Sequence, residues 1–251
     1  MLSEKTFAGL LKEFYFFIKN PSFANAQRFK DFQELLRSEQ KYYELQKKFY
    51  EILEDSKNWH SYDYNQGYFY QSFPQGKISG LRDTANRISS YELDRELHQK
   101  KVLNIGCNLG FLDCELSPNV AHIDAFDINP YLIEIANNAK DFLQISNVNF
   151  YTSSFEDYEH KSSYDVVLSF ANHSTYDRNT KHTVREYFEK VHNHLKPGGK
   201  LLLESHAPDY EKNFQDVVDI VKSLFTIDKQ ITMDKGTFLD RGRIFIRAKK
   251  K

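Results

Sequence analysis

From about residue 100 the chain alternates short apolar runs with helical stretches, and this alternation constrains its fold more than any other feature. "KVLNIG", "HIDAFDI", "NVNFYTS", "YDVVLSFA" and "KLLLES" are five such runs. "PYLIEIANNAKDFLQI" and "TVREYFEKVHNHL" lie between them, with apolar residues at helical spacing. Strand-like runs that are apolar throughout are covered on both faces, so the alternation implies a mainly parallel, doubly wound α/β sheet. Right-handed crossovers then put a ligand at the carboxyl ends of the first strands. "FTIDKQITMD" and "GRIFIRAKK" close the chain as two more strand-like segments.

The upstream part reads differently. Phe29, Phe32, Leu36, Tyr43, Tyr50 and Leu53 recur at helical steps, which predicts one long helix over 25–55. Its apolar face suits packing on the neighbouring domain or a dimer seam. "FYFFI", Phe14–Ile18, is too short to span a membrane and has no cleavage site after it. Gly67, Pro74, Gly76 and Gly80 break the segment Asn58–Gly80 into a loop-rich connector. "LRDTANRISSYEL" then reads as a helix. Many of the 21 Phe and 16 Tyr lie before residue 75. They form either a packed helical cover or the wall of a substrate entrance.

At 251 residues and 40% hydrophobic composition the chain is long enough for one α/β domain with an extension. A net charge of −1 removes the broad attraction typical of nucleic-acid binders. Two cysteines, Cys107 and Cys114, exclude a disulfide scaffold and fit a reducing cytoplasm.

Three features follow in the order that a nucleoside site needs. Gly106 ends the first strand and Gly110 opens a helix, where glycine permits a sharp turn and a close ligand approach. The spacing is G-x-x-x-G, with Asn108 at the middle position where a dinucleotide site wants glycine, so an NAD-type site fails. Asp127 follows the second strand, 21 residues after Gly106, and is placed either to accept ribose hydroxyls or to cap the helix that "DINP" begins. "SSFEDY" follows the third strand and brings Ser154 and Phe155 toward a base edge, or is a plain turn.

The ordered set "VLNIGCNLG", "AFDINPYLIEIA", "NFYTSSFEDYE", "YDVVLSFANHS" and "LKPGGKLLLES" resembles the class I S-adenosylmethionine-dependent methyltransferases over Val102 to Lys249. The resemblance implies a Rossmann-like seven-stranded sheet whose last strand, "GRIFIRAKK", is antiparallel. It implies a helical extension and lid over 1–98 and a methyltransferase domain over 99–251. It implies S-adenosyl-L-methionine as cofactor, with Gly106, Cys107, Asn108 and Gly110 around its methionine part. Asp127 would hold the ribose, Ile128, Ser154 and Phe155 the adenine, and Ser169 and Phe170 would lie by the sulfonium. Asn104 stands where the family carries an acid, and Ser154 where it carries an aspartate, so two contacts are softened. "GCN-x-G" is similar to a subset that includes RNA 5′-phosphate methyltransferases and bacterial sugar or tRNA-uridine methyltransferases. The whole chain resembles bacterial enzymes of surface-polysaccharide clusters, including those tied to methyl phosphoramidate decoration of capsules.

Methyl transfer needs an aligned acceptor and often a base. His173 in "FANHSTYDRN" is the candidate base, with Asn172 and Tyr176 as further acceptor contacts. Glu204 and His206 emerge at the end of the fifth strand on the same rim, without the spacing of a metal site, and His206 is the second candidate catalytic residue, placed for the acceptor. In the connector, Arg82 suits the methionine carboxylate or an anionic acceptor, and Tyr68, Tyr70 and Gln71 shape the acceptor pocket. The expected partner is a small polar molecule, a sugar or a phosphorylated metabolite, methylated on oxygen by a monomer or homodimer. An RNA methyltransferase and a non-catalytic nucleoside-binding module are the competing readings.

Overall fold

The computed structural model describes residues 2–56, 69–159, 163–174, 181–211 and 213–251. The strands are β1 (Lys101–Ile105), β2 (His122–Asp127), β3 (Val148–Thr152), β4 (Tyr164–Phe170), β5 (Leu195–Glu204), β6 (Phe225–Thr232) and β7 (Ile244–Lys250). They form one sheet in the order β3-β2-β1-β4-β5-β7-β6. β1 to β5 pair in parallel, and β7 runs antiparallel to both β5 and β6. The sheet is therefore the seven-stranded, Rossmann-like one expected, with its antiparallel last strand inserted beside β5. Strand order reverses between β1 and β4, which opens a crevice at their carboxyl ends.

Alternate residues on each strand face opposite layers. Val102, Leu168 and Leu202 join one apolar cluster, and Leu103, Val167 and Leu201 join the other. The first layer is built on α6 (Phe111–Leu116) and α7 (Pro130–Phe142), the second on α8 (Val184–His194) and α9 (Phe214–Leu224). Local sequence sets these helix starts. Asn129 caps α7 by accepting from the Tyr131 amide, with Pro130 at the first helical position. Thr183 and Glu186 cap α8 reciprocally.

Upstream lie α1 (Phe7–Lys19), α2 (Phe23–Arg37), α3 (Gln40–Ser56), α4 (Thr84–Ser90) and α5 (Leu93–Glu96). The single helix expected over 25–55 is thus two helices. Ser38 has an extended backbone (φ −93°, ψ 170°), and its hydroxyl donates to the Leu35 carbonyl at 2.9 Å. That local bond competes with the helical ladder, and the chain turns there. α3 packs beside α7, and Phe49, Phe69 and Phe73 gather on Phe111, with the Phe73 and Phe111 rings stacked at 4.6 Å. These aromatics form the packed cover, continuous with the core of the sheet's first layer. On α1, by contrast, Phe7, Leu11, Tyr15 and Ile18 are exposed. Among the described residues no helix is long and apolar enough to cross a membrane.

Candidate functional site

A cavity opens at the carboxyl ends of β2, β1 and β4, where strand order reverses. Gly106, Cys107, Asn108, Asp127, Ile128, Ser154, Phe155, Phe170 and Asn172 line it, joined from the connector and α4 by Tyr70, Gln71, Arg82 and Arg87. Most of the residues expected to form a nucleoside site are therefore brought together.

The loop after β1 explains its own sequence. Asn108 has φ +56°, a left-handed conformation that asparagine tolerates better than most residues. Its middle position in the loop thus needs positive φ, which glycine is not alone in supplying. The Asn108 amide donates to Asp127 Oδ2 at 2.9 Å, and the Asn129 amide donates to Asp127 Oδ1 at 3.0 Å. Asp127 is thereby fixed in orientation. It is not the cap of α7, since Asn129 holds that position. The side-chain oxygen of Asn108 is buried and has no hydrogen-bond partner among the described residues. Such an orphan in a cavity wall is costly unless a ligand donor meets it.

Gly110 has a different role from the expected one. It does not line the cavity; a Cβ there would meet Ala136 and Phe150 at 2.6 Å. The glycine serves close packing of the loop on α7 and β3, at φ +67°. Ser169 is also off the cavity. Its hydroxyl bonds Asn172 Oδ1 and the Tyr187 hydroxyl, each at 2.8 Å. It holds Asn172, whose amide also donates to the Ile105 carbonyl. Ser154 lines the cavity, but its hydroxyl closes its own turn, donating to Asp157 Oδ2 at 2.7 Å and accepting the Asp157 amide at 3.0 Å. Its backbone is what remains for a base edge.

Asn104 is buried on β1. Its Nδ2 donates to Asp113 Oδ1 and Oδ2 at 2.8 and 2.9 Å. Asp113 lies on α6 and is fully buried. Burial pushes Asp113 up to about 7, only partly offset by Asn104. Burial likewise raises the Cys107 thiol, so it is no ready nucleophile.

His173 and His206 lie apart from the cavity. His173 is fully buried, with Nε2 at 2.7 Å from Glu211 Oε1 and its ring beside Phe188, Phe214 and His206. The expectation of a base facing the acceptor meets a histidine turned to the α8–α9 side of the sheet. The His206 amide donates to Glu211 Oε2 at 2.8 Å, and burial beside His173 lowers its ring to about 4. Tyr68 and Tyr176 fall outside the described residues.

Arg82 is committed rather than open. Its Nε donates to Asp240 at 2.7 Å, and its Nη1 and Nη2 donate to Glu204 at 2.7 and 3.1 Å. Burial opposes ionisation of Glu204, but Arg82, Arg87 and Arg243 hold its carboxyl well below the usual range. Sequence reasoning missed Arg87, five residues on in the same "LRDTANR", because nothing in the spacing says which arginine is paired. It also missed His182, which lines the cavity beside Phe155.

A family model described as a methyltransferase domain matches residues 97–241. Among solved structures, the N-methyltransferase NodS from Bradyrhizobium japonicum WM9, in complex with S-adenosyl-L-homocysteine, superposes with a TM-score of 0.56 at 15% identity, covering 80% of this chain and 98% of that one. YcgJ from Bacillus subtilis superposes at 0.53 and 14% identity, covering 67% and 99%. The tRNA (m1A58) methyltransferase TrmI from Aquifex aeolicus superposes at 0.50 and 15% identity, covering 67% and 68%. At such identities the likeness is one of fold. No curated protein is matched in sequence.

Proposed function

Since the chain belongs to the methyltransferase-domain family and uses S-adenosylmethionine as its cofactor, we propose that it methylates an oxygen of a small polar acceptor, a sugar or a phosphorylated or phosphoramidate metabolite of capsule biosynthesis. The observation that carries the site assignment is the Asn108–Asp127 bond. It presents a fixed carboxylate at the end of β2, where the ribose of a nucleoside lies in a doubly wound sheet. The donor set fits the cofactor. Asp127 accepts the ribose hydroxyls, Ile128, Leu132 and Phe155 enclose the base, and the orphan oxygen of Asn108 awaits a donor. When bound, the cofactor supplies a methyl group on a cationic sulfur. The chain's own residues align the acceptor and exclude water: Phe170 and Asn172 at the end of β4, with Tyr70 and Arg87 from the upstream segment. The described residues upstream of residue 99 act as the cover.

No histidine of the expected pair reaches this cavity, so we assign the rate to alignment rather than to His173. A small acceptor needs only one or two polar anchors in such a pocket. RNA needs a track of phosphate contacts, and charge in this chain is balanced, at 34 basic against 35 acidic residues. Transfer of tritiated methyl to sugar-phosphate pools and to total RNA, with a tRNA gel shift, tests the reading. Label in the small-molecule fraction and no tRNA shift at physiological salt are expected. Label in RNA with salt-sensitive binding would establish the RNA reading instead.

A further inference from the structure

Behind Phe170 lies a buried group of charges that does not balance. Arg82, Arg87 and Arg243 are each under 5% exposed, and they share two buried carboxylates, Glu204 and Asp240. Glu204 has no capacity left. Its Oε1 accepts from Arg82 at 2.7 Å and Arg243 at 3.4 Å, and its Oε2 from Arg82 at 3.1 Å and the Tyr91 hydroxyl at 2.8 Å. Asp240 gives one oxygen to Arg82 and the other to Thr237. Arg87 is left over. Its Nε stands 3.3 Å from Glu204 Oε2 without making a hydrogen bond. None of its guanidinium N–H groups has an acceptor among the described residues. Asp113, the next carboxyl, is bonded to Asn104 instead.

The guanidinium is nonetheless held in place. It lies over the Phe170 ring at 4.9 Å and forms part of the cavity wall. Burial and the neighbouring Arg82 both work against its charge, lowering its affinity for the proton. Glu204 at 3.3 Å offsets part of its charge, but a buried, oriented guanidinium whose N–H groups have no hydrogen-bond acceptor among the described residues is costly unless a ligand supplies one, and its planar fork suits a carboxylate or phosphate.

We propose that Arg87 is an anion subsite of the cavity, which takes a carboxylate or phosphate group of a bound ligand, while Arg82, Arg243 and Tyr91 take up the hydrogen bonds of Glu204. The proposal rests on the cofactor reading only for the position of the ligand. Two sources supply such a group: the carboxylate at the amino-acid end of the cofactor, and an anionic group of the acceptor.

Calorimetry on the full chain separates them. The probes are S-adenosylhomocysteine and its decarboxylated analogue, which keeps the amine and lacks only the carboxylate. If the cofactor is the source, Arg87→Met weakens S-adenosylhomocysteine at least tenfold and leaves the analogue within twofold, and Arg87→Lys recovers part of the loss. If the acceptor is the source, both nucleosides bind Arg87→Met as they bind wild type. Inorganic phosphate then binds wild type saturated with S-adenosylhomocysteine and fails to bind Arg87→Met. Circular dichroism and the denaturation midpoint establish that the variant is folded. Equal loss of both nucleosides in a folded variant, or unchanged nucleoside binding with no Arg87-dependent phosphate binding, overturns the proposal. Failure of wild type to bind either nucleoside would sink the cofactor reading, a different result.

Discussion

The backbone amide of Asn108 donates to Asp127 Oδ2 across 2.9 Å, tying the loop after β1 to the end of β2. Two neighbouring strands thus fix one carboxylate, with the Asn129 amide on its other oxygen. Preorganisation of this kind spares the ligand the cost of orienting the group. Asp127→Ala should weaken S-adenosylhomocysteine at least tenfold, about 1.4 kcal/mol, by isothermal titration. Unchanged affinity in a folded variant would remove the ribose role.

Asn108 adopts φ +56°, so its replacements should separate by backbone freedom rather than by size. Asn108→Ala should cost roughly 1–2 kcal/mol in urea denaturation, since alanine's Cβ resists the left-handed region. Asn108→Gly should stay closer to wild type in stability. Equal losses for the two would show that the side chain, not the backbone, carries the effect.

Glu204 is fully buried and joins three arginines and Tyr91. Glu204→Gln should destabilise the fold by about 3–5 kcal/mol, because it leaves buried guanidinium groups uncompensated. Chemical denaturation gives the number. A loss below about 1 kcal/mol, the value typical of a surface pair, would contradict burial of the network.

His173 is fully buried against Glu211 and lies off the cavity. His173→Gln should lower the denaturation midpoint and leave kcat, on whichever acceptor takes label, within about tenfold of wild type. Loss of a general base costs ~10²–10⁴-fold. A fall of that size in a folded variant with intact cofactor binding would restore His173 as the base.

Asp113 is pushed up to about 7 by burial, from an ordinary value near 3.8. The folded state therefore holds the proton more tightly than the unfolded chain. Its contribution to stability is complete below about pH 4 and is lost as pH rises through about 7. Wild type should lose more stability between pH 5 and pH 8 than Asp113→Asn, which keeps an oxygen for Asn104 but does not titrate. Denaturant midpoints for both proteins across that range measure the difference. Identical slopes would mean that Asp113 ionises normally.

The sequence by itself determined the sheet, its strand ends and the place of the cavity. Periodicity of apolar residues and the order of glycine loop, Asp127 and "SSFEDY" are local signals, and the crevice follows from strand order. It also marked Gly106, Asn108 and Asp127, which line that cavity, because each answers to backbone conformation or to a strand end. Only the tertiary structure decided which charged and polar side chains face the cavity. Arg82 and Arg87 stand five residues apart in the same motif. Arg82 meets Glu204 and Asp240 from positions 122 and 158 residues away, and Arg87 is what those carboxylates leave over. His173 follows β4 as a base should, yet Glu211 holds its ring on the other layer. Asn104 looked like a missing acid until Asp113, on the next helix, came within 2.8 Å of it. Pairing across such separations depends on which groups the packed core brings together and on how many acceptors each carboxylate has left. Neither quantity is written in residue spacing.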